Sequence, residues 1–115
     1  MKHVAVGAGL AVLVLVVYWP VYQFDFVNFD DDVYLLENPQ MAEGLSWQNV
    51  RWAFSTPYHS NWHPVTWLSY FADYELFGMN PGAFHVTNAL IHLLNVLLLY
   101  ATLHVMTGRF APSIV

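Results

Sequence analysis

Two long apolar blocks frame the chain, and every acidic residue lies between them. The first block runs from Val4 to Trp19 without a charge and extends through Val21 and Tyr22. That length approaches the roughly 20 residues a transmembrane helix requires. A cleaved secretory signal needs small residues ahead of its cleavage point, but this block ends in Tyr18-Trp19-Pro20-Val21-Tyr22. Tryptophan and tyrosine favour the water–lipid boundary, and proline suits a helix end. The pattern predicts an uncleaved membrane helix over 4–22. The second block, from about Ala83 to Met106, predicts another over 83–107, with Gly108 as its stop and Arg109 as a flanking cation. Residues 108–115 are expected to form a cytoplasmic end running up to a third span.

The polar middle, 23–82, is too long for a featureless connection. Ser46 is placed to cap a short helix over 46–56, closed by Pro57, on which Trp47, Val50 and Phe54 share a face. Pro64 suits a first helical turn and Gly78 a stop, which predicts a second helix over 64–77. Its stretch Val65 to Ala72 is apolar nearly all round, as expected of a helix lying in the headgroup region. A small core outside the membrane is the alternative. Gln23 to Leu36 reads as irregular chain along the membrane surface, broken at Glu37-Asn38-Pro39. The expected fold class is therefore an all-α membrane protein: two transmembrane helices joined by a long extracytoplasmic loop with two short interfacial helices.

Composition agrees. Only 10% of the 115 residues are charged and 57% are hydrophobic, against about 25% charged in soluble domains. Of the three basic residues, Lys2 precedes the first span, Arg109 follows the second and Arg51 lies between. The positive-inside tendency puts both ends in the cytoplasm and the acidic loop on the periplasmic or luminal side of a cell (inner) membrane. A net charge of −5 argues against nucleic acid as a partner, and the lack of cysteine removes disulfides and thiolate metal sites.

Two sets of polar residues carry candidate chemistry. His85, Asn88, His92 and Asn95 follow one another at steps of three, four and three, which keeps them on one face of the second span. Polar groups facing hydrocarbon are costly, so this face is expected either to bond to other helices or to line a substrate groove. The consecutive Asp30, Asp31 and Asp32 sit among aromatics close to the first span. A carboxylate there is suited to general-base work on a lipid-linked polar substrate. Asp30 and Asp32 are also candidate ligands for a divalent cation such as Mg or Mn, with His59 and His63 as further donors.

The segment Phe26-Val27-Asn28-Phe29-Asp30-Asp31-Asp32-Val33-Tyr34-Leu35-Leu36-Glu37-Asn38 resembles the first luminal loop of the membrane O-mannosyltransferases that carry tetratricopeptide repeats, especially their bacterial relatives. Asn61-Trp62-His63-Pro64-Val65-Thr66 and His85-Val86-Thr87-Asn88-Ala89-Leu90-Ile91-His92 are similar to later parts of the same region. The similarity runs from about Phe24 to Gly108. It implies the N-terminal part of a GT-C fold glycosyltransferase. Such enzymes transfer a sugar, usually mannose in this family, from a polyprenyl-phosphate donor to an acceptor hydroxyl on protein Ser/Thr or a glycan. On that match Asp31 is the catalytic base and Asp30 tunes it or orients the acceptor. Glu37, Asn38 and His63 would bind substrate, Arg51 would help neutralise the leaving phosphate, and His85, Asn88 and His92 would line the groove. The family has more spans and then helical repeats, so this sequence is expected to be a fragment inactive without its missing C-terminal spans. The alternative is a non-catalytic membrane hairpin that packs against a larger membrane partner.

Overall fold

The computed structural model describes residues 2–107. They are all-helical, 79% helix without a strand; the one β-type contact is an isolated bridge between Tyr58 and Asn61. Gly108 and the expected run-up to a third span lie outside the described residues. Helix α1 (Lys2–Tyr18) passes into a 3₁₀ turn (Trp19–Gln23) at Pro20. A π-helical turn (Asp32–Leu36) and a 3₁₀ turn (Pro39–Glu43) follow, then α2 (Trp47–Ser55), α3 (Pro64–Phe77) and α4 (Pro81–Thr107). The chain divides into two compact units, Phe24–Phe84 and the segments on either side of it.

The flanking unit is a helical hairpin. His3–Gln23 and Pro81–Thr107 are both long and apolar enough to cross a membrane. At 1.5 Å per residue, α4 measures about 40 Å against a hydrocarbon layer of about 30 Å. Val14 of α1 and Tyr100 of α4 are buried, and a Cβ at Gly7 would stand in ordinary contact with Leu97, 4.0 Å from its Cδ2. His3 Nδ1 lies 2.8 Å from the Tyr100 hydroxyl, and its ring centroid is 4.0 Å from that of His104.

Unit Phe24–Phe84 has its own core of Leu35, Met41, Ala53, Trp67, Phe71 and Phe84. Ser46 caps α2 by accepting from Asn49 N. Asn49 is itself fully buried and donates through Nδ2 to the Gln40 and Gly44 carbonyls at 2.7 Å each. Its amide thus ties the turn that precedes α2 to the helix. The face that α2 buries carries Asn49 and Ala53. Trp47 and Phe54, of the apolar face read from spacing, are 74% and 51% exposed. Helix α3 begins at Pro64 and stops at Gly78, whose φ of 63° suits a residue without a Cβ. It buries Trp67 and Phe71 completely while Val65 and Leu76 stay exposed. The small core weighed as the alternative to an interfacial helix is therefore present. Gln23 to Leu36 differs too: where irregular chain was expected, Asp32–Leu36 closes a π turn through Glu37 N donating to Asp32 O at 2.7 Å.

Candidate functional site

The aspartates straddle the entry to the π turn, a rare form frequent at functional sites. Asp31 stands at its N-cap without bonding into it. Instead its Oδ2 accepts from Val27 N at 2.9 Å, which folds the preceding loop back and fixes the carboxylate. Asp32 is half-buried and its Oδ1 accepts from Val33 N at 2.8 Å, while Asp30 is exposed. Beside them an open cleft of ≈ 370 Å³ is lined by Phe26, Val27, Asn28, Asp32, Leu36 and Glu37. Glu37 thus joins Asp32 on one wall. Asn38 does not: it is 3% exposed, and its Oδ1 caps the Pro39–Glu43 turn by accepting from Gln40 N at 3.0 Å. Its oxygen thus has a structural task at this cap, while its Nδ2 is buried without a hydrogen-bond partner among the described residues.

Tyr34 joins this region to a second one distant in sequence. Its hydroxyl accepts from Asn61 Nδ2 at 2.6 Å, and Tyr58 donates to the Val33 carbonyl at 3.4 Å. His59 and His63 meet the Tyr34 ring at centroid distances of 6.1 and 5.6 Å. His63, the residue before α3, stacks on Trp67 at 5.1 Å. The loop that carries the histidines is therefore docked on the π turn. It is held in a two-residue hairpin in which Tyr58 and Asn61 exchange backbone bonds at 2.9 Å. The central residues, His59 (φ 46°) and Ser60 (φ 66°), occupy the left-handed region, where glycine or asparagine is normal. Ser60→Gly is expected to relieve this and raise stability by about 0.5–1 kcal/mol; denaturant titration followed by tryptophan fluorescence checks it.

Two residues that the motifs did not single out belong here. Asp73 on α3 is 4% exposed. Tyr70, one turn earlier, packs on Phe84 at 5.9 Å, and Phe84 in turn meets Phe26 at 5.6 Å. Burial pushes the Tyr70 phenol above its ordinary value of 10.0, and the charges of Asp31, Asp73 and Tyr34 push it further. Tyr70 therefore remains a neutral hydroxyl, able to donate. Because the folded-state pKa is raised, its contribution to stability is complete below the unfolded value near 10 and is lost as pH rises through the folded one. Tyr70→Phe is expected to flatten the fall in unfolding temperature above about pH 10 that the parent chain shows. The available signal was an aspartate directly after an apolar run, Trp67-Leu68-Ser69-Tyr70-Phe71-Ala72-Asp73.

Arg51 is exposed on α2. His85, Asn88 and His92 belong to the hairpin unit, not to the unit that carries the aspartates. Among the described residues no three His, Asp or Glu side chains are grouped so as to hold a metal ion. No protein-family model, curated protein or solved structure matches the chain.

Proposed function

We propose that the chain is the N-terminal part of an integral-membrane GT-C glycosyltransferase. It would cross the inner membrane twice as a hairpin and present unit Phe24–Phe84 on the periplasmic or luminal side. There a sugar, mannose on the family resemblance, passes from a polyprenyl-phosphate donor to an acceptor hydroxyl. The observation that carries this is Asp31, a carboxylate with one oxygen anchored on Val27 N, next in the chain to Asp32, which lines an open cleft together with Phe26 and Glu37. An anchored carboxylate keeps its second oxygen in a defined direction, as a general base requires.

In this reaction Asp31 takes the proton of the acceptor hydroxyl. The hydroxyl oxygen bonds to the anomeric carbon as the bond from that carbon to the phosphate oxygen breaks. The electron pair leaves with the lipid phosphate, so the anomeric configuration inverts. Asp30 orients the acceptor. Positive charge for the departing phosphate would come from further spans of the full-length protein. Sugar transfer by the full-length protein carrying Asp31→Asn tests the assignment; undiminished transfer overturns it.

The second reading, a non-catalytic hairpin held by a larger membrane partner, is favoured by one observation. Asn88 and Asn95 are exposed on α4, where hydrocarbon would leave them unsatisfied. It predicts that substituting the aspartates changes no activity.

A further inference from the structure

We propose that α2 is the surface by which unit Phe24–Phe84 rests on lipid, with Trp47, Val50 and Phe54 set among the acyl chains just below the headgroups and Arg51 on a lipid phosphate. The inference rests on the membrane-crossing part of the reading above and not on glycosyl transfer.

Helix α2 turns its apolar stripe outward. Asn49 and Ala53 are the residues it buries. At 3.6 residues per turn Trp47, Val50, Arg51 and Phe54 fall within about 100° of arc on the side away from them. Trp47, Arg51 and Phe54 are exposed and Val50 is half-buried. Past the helix end the patch is extended by Trp62, which is 61% exposed and whose Nε1 donates to the Phe54 carbonyl at 3.1 Å. That carbonyl is among the last four of the helix, which have no partner within it. The bond therefore satisfies the one polar atom of the indole and leaves its rings free for an apolar contact. Helix α3 behaves differently, since its Trp67 and Phe71 are spent wholly on the core of the unit. A contiguous set of large exposed apolar side chains marks an interaction surface.

Tethering and charge select lipid as the occupant. Unit Phe24–Phe84 begins at the residue after Gln23, where the first membrane-length helix ends, and closes inside the second, which starts at Pro81. Held at both ends by a membrane hairpin, the unit meets a lipid surface at high effective concentration, without recruiting a partner. The chain's eight acids all lie between residues 25 and 75, yet none falls in Trp47–Ser55. Arg51, the only Lys or Arg between the two apolar blocks, stands on the exposed stripe. A helix face of Trp, Val, Phe and Arg without a carboxylate complements a boundary made of hydrocarbon topped by phosphate. Indole rings favour that boundary, and a guanidinium can bond two phosphate oxygens while its stem lies along apolar neighbours.

Because the chain has no cysteine, single cysteines carrying an environment-sensitive fluorophore read this contact directly. Phe54→Cys and, separately, Trp47→Cys lie on the stripe at exposed positions, so neither opens the core. Ala42→Cys is the control, exposed on the turn that α2 meets with its other side through Asn49. The full chain is reconstituted in vesicles of phosphatidylcholine and phosphatidylglycerol, with and without lipid that carries a nitroxide just below the headgroup. The expected result is strong quenching of the labels at 54 and 47 and little at 42. Adding Arg51→Gln to Phe54→Cys is expected to lower the ratio of docked to undocked label by about fivefold. Quenching at 54 and 47 no stronger than at 42 overturns the proposal, as does quenching that Arg51→Gln leaves unchanged. Labels shielded from water yet unquenched overturn it too, because a second copy or another protein would then cover the stripe. Release of the chain from the vesicles by carbonate overturns it together with the membrane reading, while undiminished transfer in Asp31→Asn overturns only the enzyme.

Discussion

Trp67→Ala is expected to unfold the unit Phe24–Phe84 while leaving the apolar helices inserted. Trp67 is 0% exposed and is the largest side chain in the core. Its ring meets Trp52 at 5.2 Å, Tyr34 and Tyr58 at 5.5 Å each and His63 at 5.1 Å. One side chain therefore ties α3 to α2, to the π turn and to the histidine hairpin. Truncating a buried tryptophan typically costs about 3–5 kcal/mol through lost burial and the cavity left behind. In a 61-residue unit that is comparable to the whole stability a small core supplies, about 3–5 kcal/mol. Hydrogen exchange in detergent would read the loss as collapse of protection across 24–84. Retained protection there would mean that other contacts hold the unit.

Asp31→Asn is expected to lower sugar transfer by the full-length protein by about 10²–10⁴-fold, the usual contribution of a general base. The substitution keeps the shape and an acceptor oxygen for Val27 N, the bond that fixes the loop at 2.9 Å. Expression and protease resistance should therefore be unchanged. That separates chemistry from folding: loss of activity together with loss of fold would speak for a structural role. Asp30→Asn, at an exposed position with no backbone anchor, is expected to be milder. Equal loss at both positions would move the base assignment off Asp31.

Parts of this molecule were legible because single residues carry backbone chemistry that acts locally. Ser46 offers an oxygen to the first turn of α2, Pro64 is pre-shaped for the first turn of α3, and Gly78 accepts a φ of 63° that other residues resist. Length and apolar content alone mark α1 and α4 as helices able to cross a membrane. The aspartates are conspicuous as a run. What they touch is not, since the bond from Val27 N to Asp31 depends on how a loop folds back. Asn38 was expected to bind substrate, and its oxygen caps a turn below the surface. Both roles use the same amide, and only its surroundings decide between them.

The face that α2 buries shows the same boundary. Trp47, Val50 and Phe54 form its most apolar stripe, yet Asn49 and Ala53 point inward. A buried amide donating to two carbonyls ties the turn before α2 to the helix, which an apolar side chain could not do. By itself, then, the order of residues determined the helical class, the two membrane-length helices and the run of acids between them, because each follows from local propensity and solvation. The tertiary structure alone decided that Tyr34 gathers the π turn and the histidine hairpin, that Tyr70 feels the charges of both Asp31 and Asp73, and which residues of α4 stay exposed. Those pairings join residues far apart in the chain, and their energies exist only once packing has removed water between them.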